Sequence, residues 1–171
     1  MNDDNAQSLV AGTHQAVGDI PVAQDLSRPT QGPGTTQFSP IRAEVTINDC
    51  VIDGQLPGDL SGGFYATGPD PQYPVDRGNI IFDGEGHVRM FRIKNGRVDY
   101  RTRFARTERW IAQDKARRGL MPIYRNPFRD DPSVKGLSRS TANTHVLNHK
   151  NMILALKEDS PALVMDPATL E

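Results

Sequence analysis

The feature that most constrains this chain is a pair of alternating segments that flank Asn95-Gly96. That dipeptide is the preferred centre of a two-residue type I′ hairpin turn. In the segment after it, alternate residues from Val98 to Phe104 are mostly apolar and the residues between them are charged. A period of two is typical of a strand with one apolar face. The sequence therefore predicts a β-hairpin over residues 88–106.

Other short segments have strand-like composition: residues 43–47, 64–67, 79–82, 143–147, 152–157 and 163–165. We expect the strand at 64–67 to end before Gly68-Pro69, since proline has no N–H to donate to a ladder. Thr107 is placed to cap a short helix that runs through Arg118. These patterns predict an all-β domain of serial hairpins with one short helix, arranged as a sandwich, a barrel or a propeller.

Residues 1–40 differ in composition from the rest of the chain. They contain four prolines and show no sustained periodicity, so little apolar surface is available to offset the entropy of ordering. We expect a flexible leader over residues 1–40 and a folded domain over residues 41–171.

Charge and composition exclude several classes of protein. Twenty basic residues oppose 21 acidic ones, which gives no electrostatic case for a nucleic-acid partner. Cys50 is the only cysteine and forms no internal disulfide. No apolar run approaches the roughly 18 residues of a transmembrane segment, and the N-terminus lacks the pattern of a secretory signal. We therefore expect a cytoplasmic protein without a transmembrane segment.

The four histidines give no metal site by their spacing. They are His14, His87, His145 and His149. The last two fall four residues apart on a predicted strand, about 13 Å along it. Metal–nitrogen bonds are about 2 Å long, so the pair cannot share one metal. Considered by itself, Lys157 is a strand-end lysine beside two carboxylates, and Tyr124 is a packing tyrosine.

Six short sequence blocks resemble the N-terminal part of the carotenoid cleavage oxygenase family, and their order and spacing match as well. They lie at residues 56–62, 68–71, 82–86, 141–144, 154–158 and 166–171. Within that family, the sequences at 124–128 and 155–159 are most similar to the lignostilbene and stilbene dioxygenases. The resemblance implies a seven-bladed β-propeller with a short cap helix, and makes residues 41–171 its incomplete N-terminal part.

The resemblance also implies a chemistry. Phe82, Tyr124 and Lys157 match residues that line the substrate cavity and engage the 4-hydroxyl end of a stilbenoid, with Tyr124 and Lys157 in the catalytic role. The implied reaction splits a C=C bond of that small-molecule alkene with O₂ and yields two aldehydes. The implied cofactor is Fe(II) held by four histidines, all expected beyond the position that matches Glu171, so we assign no metal ligand in this chain.

Two alternatives remain open from the sequence. One stays within the family: cleavage of a carotenoid or apocarotenoid, whose apolar polyene needs no lysine–phenol contact. The other is a non-catalytic β-rich binding module that ends near Glu171.

The expected location of the histidine ligands predicts the behaviour of the 171-residue chain by itself. Purified alone, it is expected to be inactive and to contain no stoichiometric iron. Metal analysis of the purified chain checks this. One iron per chain would contradict the expectation that the histidine ligands lie beyond the position that matches Glu171.

Overall fold

The two segments that flank Asn95-Gly96 form adjacent strands of an antiparallel sheet. The structure, a computed structural model, describes residues 41–74, 80–123 and 125–171. The predicted leader over 1–40 lies outside the described residues, and Tyr124 lies outside them as well. Within the described residues the protein forms two antiparallel sheets and one α-helix. The all-β prediction with one short helix is therefore confirmed.

The first sheet, sheet A, has four strands in the spatial order β1-β4-β3-β2. Its strands are β1 (Thr46–Ile47), β2 (Gly62–Asp70), β3 (Glu85–Lys94) and β4 (Arg97–Phe104). Lys94 lies opposite Arg97, and the two residues between them have φ of +52° and +71°. Positive φ at both central positions is the requirement of a type I′ turn, so the predicted hairpin is confirmed.

The second sheet, sheet B, has three strands in sequence order. They are β5 (His145–His149), β6 (Met152–Lys157) and β7 (Ser160–Met165). Lys150 and Asn151 form the first turn with φ of +47° and +61°. The segments predicted as strands at 143–147 and 152–157 pair as this hairpin, although β5 lies two residues later than predicted. Strand β7 begins three residues earlier than predicted.

Two strand predictions were wrong in detail. Strand β2 runs through Pro69 to Asp70, because β2 is an edge strand and proline is tolerated there. The predicted strand at 79–82 is instead a 3-10 turn, Ile81–Asp83, and residue 79 lies outside the described residues. Asp83 Oδ2 accepts a hydrogen bond from the backbone N–H of Ile80 at 2.7 Å, and such local bonds compete with strand pairing.

The helix, α1 (Glu108–Ala116), begins after Thr107 as predicted. The Thr107 hydroxyl accepts a hydrogen bond from the backbone N–H of Trp110 at 3.1 Å. Arg117 has φ of +55° and ends the helix slightly before the predicted end. The segment after the helix contains two 3-10 turns, Pro127–Arg129 and Pro132–Val134.

The main core lies between the two sheets. Val88 and Met90 of β3 pack in one buried cluster with Ile153 and Ala155 of β6. Gly86 allows the backbone of residues 141–142 to lie directly against β3, because a Cβ at Gly86 would collide with the Ala142 carbonyl. The Gly86 N–H donates a hydrogen bond to Thr141 O at 2.6 Å. The segment over residues 141–144 is thereby packed directly against the start of β3.

The Thr107 cap gives a testable stability difference. Thr107→Ala removes both the capping oxygen and a buried methyl group, whereas Thr107→Ser removes only the methyl. We expect the alanine variant to be about 1 kcal/mol less stable than the serine variant, the usual worth of an N-cap. Urea unfolding of the two variants measures this, and equal midpoints would show that the cap contributes nothing.

Candidate functional site

Lys157 and Phe82 line the same cavity. The cavity has a volume of about 360 Å³ and lies between the end of β2, the 81–83 turn and the end of β6. The Lys157 Nζ atom is 5.8 Å from the centroid of the Phe82 ring. The remaining lining residues are Thr67, Gly68, Pro69, Arg125, Asn143, Thr144 and Glu158.

Lys157 is buried because of its place in β6. Burial alternates along that strand, and Ile153, Ala155 and Lys157 are its three inward residues. Lys157 is 8% exposed, and its Nζ lies 3.5 Å from Glu158 Oε2. The pairing that the sequence suggested is therefore present. A buried ammonium group is costly unless it is paired, and Glu158 supplies such a partner here.

Glu158 is the exposed member of that pair. A hydrogen bond from its own backbone N–H, aided by the Thr144 hydroxyl and the Lys157 ammonium, holds the pKa of Glu158 below its usual value. It is therefore ionised at neutral pH and places a negative charge beside the Lys157 amine.

Phe82 lies on the 81–83 turn and is 53% exposed. Buried side chains bind the carbonyls of three consecutive residues there. Asn143 Nδ2 donates to Phe82 O at 3.0 Å and to Gly84 O at 2.7 Å, and Arg109 Nη2 donates to Asp83 O at 2.8 Å. The backbone that carries the Phe82 ring is thus held by groups distant in sequence.

The structure thus brings together two of the three residues predicted from the sequence. Tyr124, the third, lies outside the described residues. The next residue, Arg125, lines the same cavity, and its Nε lies 3.2 Å from Asp159 Oδ2. Asn143 and Thr144 were not predicted as site residues, although they belong to one of the six sequence blocks.

Two further cavities lie near this one. A polar cavity of about 280 Å³ shares Lys157 and Arg125 with it and is otherwise lined mainly by arginine and hydroxyl side chains. A larger cavity of about 380 Å³ lies beside α1 and includes neither Phe82 nor Lys157. The candidate site is therefore the cavity that both predicted residues line.

A buried ionic network separates the cavity beside α1 from the sheet. Arg109 Nε lies 3.1 Å from Glu85 Oε1, which also accepts a hydrogen bond from Gln113 Nε2 at 2.6 Å. Burial raises the pKa of Glu85 against the opposing effects of Arg109 and Gln113. This network fixes the Arg109 guanidinium that binds the Asp83 carbonyl.

The histidines do not form a metal centre in the part of the chain that the structure describes. There, no group of three or more His, Cys, Asp or Glu side chains is arranged to hold a metal ion. His145 and His149 are exposed on β5, and His87 is buried with its Nδ1 3.1 Å from Asp70 Oδ2. These donors do not fit the iron implied by the sequence resemblance, so we derive no step through a metal.

Comparison with known proteins establishes the family. The profile of the retinal pigment epithelial membrane protein (RPE65) family matches residues 38–171. The chain belongs to this family, which is the carotenoid oxygenase family that its motifs resemble. A search for membrane-spanning helices in the described residues found none of sufficient length and apolarity.

The similar curated proteins are longer than this chain. Lignostilbene-α,β-dioxygenase isozyme III of Sphingomonas paucimobilis is 44% identical over 138 residues, 80% of this chain and 28% of that protein. Resveratrol cleavage oxygenase 1 of Chaetomium globosum is 42% identical, over 84% of this chain and 25% of its own length. Isoeugenol monooxygenase of Pseudomonas nitroreducens is 40% identical, with coverages of 77% and 28%. The chain thus spans about a quarter of the relatives it matches.

Solved structures agree with this assignment. The lignostilbene dioxygenase of Pseudomonas brassicacearum has a TM-score of 0.77 at 40% identity, covering 82% of this chain and 30% of that one. A cobalt-substituted Synechocystis ACO has a TM-score of 0.63 at 26% identity, with coverages of 78% and 29%. The two sheets of this chain correspond to blades in the β-propellers of these relatives. The described residues do not form a closed ring of blades.

The raised pKa of Glu85 predicts a pH dependence of stability. A carboxyl whose folded pKa exceeds its unfolded value stabilises the fold fully below the unfolded pKa of about 4.3 and loses that contribution as pH rises through the folded pKa. Glu85→Gln stays neutral throughout. We therefore expect the stability of the wild type relative to Glu85→Gln to fall as pH rises above that point. Urea midpoints of both proteins across pH measure it, and a constant or increasing difference would contradict it.

Proposed function

We propose that this chain forms the phenol-binding wall of an iron(II)-dependent dioxygenase that cleaves the C=C bond of a phenolic stilbenoid into two aldehydes. The observation that carries the proposal is the buried Lys157 amine in one cavity with the Phe82 ring. Membership of the family and the similarity to a lignostilbene dioxygenase support it.

In this proposal Lys157 binds the substrate hydroxyl. Its ammonium donates a charge-assisted hydrogen bond to the phenol oxygen, and such bonds are about twice as strong as neutral ones. The bond is stronger to a phenolate, so it lowers the pKa of the bound phenol. A phenolate conjugated with the alkene raises electron density on the carbons that react with oxygen.

Phe82 supplies the apolar contact for the same ring. An aromatic side chain binds a stilbene ring by offset or edge-to-face packing, worth about 0.5–1.5 kcal/mol beyond burial. Phe82 lines the cavity and is about half exposed. The ring and the ammonium therefore offer one surface for the two parts of a phenol.

Tyr124 is proposed as a second donor to the phenol oxygen. A phenol O–H beside an ammonium gives a bound phenolate two hydrogen bonds. The neighbouring residue, Arg125, lines the cavity with Lys157, and this supports the proposal. The role proposed for this chain is to bind and orient the phenol.

The cavity favours a phenol over a carotenoid. An apolar polyene offers no acceptor to the Lys157 ammonium, whereas a phenol oxygen accepts a charge-assisted hydrogen bond from it. Lignostilbene, resveratrol and isoeugenol, the compounds in the relatives' names, are all phenols with a conjugated C=C bond. We therefore place cleavage of a carotenoid or apocarotenoid second.

The substitution Lys157→Met tests the proposed role of the amine. In the complete protein we expect kcat/KM for resveratrol to fall about 10- to 100-fold, the worth of a hydrogen bond to a charged group. For fully O-methylated resveratrol, which cannot form a phenolate, the change should be much smaller. Steady-state kinetics with both substrates gives the comparison.

Lys150→Met is the matched control, because Lys150 is an exposed lysine in the β5–β6 turn of the same sheet. It should leave both rates unchanged. Equal losses for the phenol and its methyl ether in Lys157→Met would contradict phenol binding by Lys157. Faster wild-type turnover of an apocarotenal than of resveratrol would favour the carotenoid alternative.

A further inference from the structure

We infer that Asn143 is a positioning residue that sets the distance between the Phe82 ring and the Lys157 amine, and so the fit of the phenol ring. This inference rests on the proposed function for its catalytic consequence. The structural part of the inference is that the position of the Phe82 ring depends on Asn143, and this part can be tested separately.

The Asn143 amide binds both sides of the turn that carries Phe82. Asn143 is 5% exposed, and its Nδ2 donates to Phe82 O at 3.0 Å and to Gly84 O at 2.7 Å. Few neutral groups offer two donors on one atom, and the carboxamide of Asn is the shortest in proteins. Aspartate would place acceptors against two carbonyl oxygens instead. The position therefore suits asparagine.

The Asn143 hydrogen bonds support a turn, because Phe82 lies in a short 3-10 segment and not in a strand. Its segment forms a 3-10 turn at Ile81–Asp83 rather than the strand expected from composition. A short 3-10 turn has weak internal hydrogen bonds. Loss of the Asn143 donors would remove one hydrogen bond from each of two carbonyls, those of Phe82 and Gly84, and so weaken the hold on the turn.

The next residue binds the opposite wall of the cavity. The Thr144 backbone N–H donates to Leu156 O at 3.0 Å, and its hydroxyl lies 3.2 Å from Glu158 Oε2. These contacts fix the chain on both sides of Lys157. Asn143 and Thr144 are adjacent, so one dipeptide connects the wall that carries Phe82 to the wall that carries the amine.

The backbone conformation of Ala142, the residue before Asn143, supports a functional role for this segment. Ala142 is fully buried and has φ of +49°, in the left-handed region that alanine rarely occupies. Strained backbone of this kind is concentrated at functional sites. Here it places the Asn143 side chain beneath the 81–83 turn.

A double-mutant cycle in the complete protein tests the inference. Asn143→Ala should lower kcat/KM for resveratrol by about tenfold or more, because small misplacements of binding groups carry losses of this size. In the Phe82→Ala background the same substitution should cost about twofold or less, since there is no ring left to misplace. Equal losses in both backgrounds would overturn the inference.

Thr102→Val is the control for lost buried hydrogen bonds. The Thr102 hydroxyl accepts a bond from Val45 N at 3.1 Å and donates to Ala43 O at 3.0 Å, and it does not line the cavity. It should leave kcat/KM nearly unchanged in both backgrounds. Asn143→Ser, which keeps one donor and more of the packing, should give an intermediate loss and serves if Asn143→Ala fails to fold.

Fluorine NMR of 4-fluorophenylalanine at position 82 gives a readout that does not depend on activity. The resonance should shift or broaden in the Asn143 variant that folds and should stay unchanged in Thr102→Val. An unchanged resonance in the Asn143 variant would overturn the inference whatever the kinetics. If the protein cleaves no stilbenoid but the resonance responds, the proposed function fails and the structural dependence is supported.

Discussion

The close contact between the 141–144 segment and the start of β3 is the constraint on which the site depends. Gly86 has no side chain, so the Ala142 carbonyl can pack against its Cα, and the Gly86 N–H donates to Thr141 O. Any larger residue at Gly86 would push the segment away. The Asn143 amide would then no longer reach the 81–83 turn, and Phe82 and Lys157 would lose their common cavity.

The charged groups buried near the site each have a partner of opposite charge. Arg109 is 6% exposed, yet its guanidinium has the Glu85 carboxylate on one side and the Asp83 carbonyl on another. Lys157 is similarly buried at the end of an apolar strand and pairs with the exposed Glu158. Buried cations of this kind contribute little net stability, because desolvation offsets their attraction.

Local sequence signals predicted much of the fold. The Asn95-Gly96 turn and the Thr107 cap were predicted correctly because each depends on the chemistry of a few adjacent residues. The strand expected at 79–82 was wrong because the Asp83 side chain binds the Ile80 N–H, a local competitor that composition does not reveal. The continuation of β2 through Pro69 was missed because edge position depends on the whole sheet.

The site was predicted only in part. Family resemblance pointed to Phe82 and Lys157, and the structure brings them to one cavity, but residue periodicity alone gave Lys157 no special role. The support from Asn143 could not be predicted, since it requires a contact between segments about 60 residues apart. Tyr124 remains a prediction.

The most direct test of the account is a crystal structure of the complete protein with a bound hydroxystilbene. The account predicts that the phenol oxygen lies within about 2.7–2.9 Å of the Lys157 Nζ atom, the length of a charge-assisted hydrogen bond, with its ring against Phe82. A stilbene bound with its hydroxyl directed away from Lys157, or in a cavity that excludes Phe82, would contradict it.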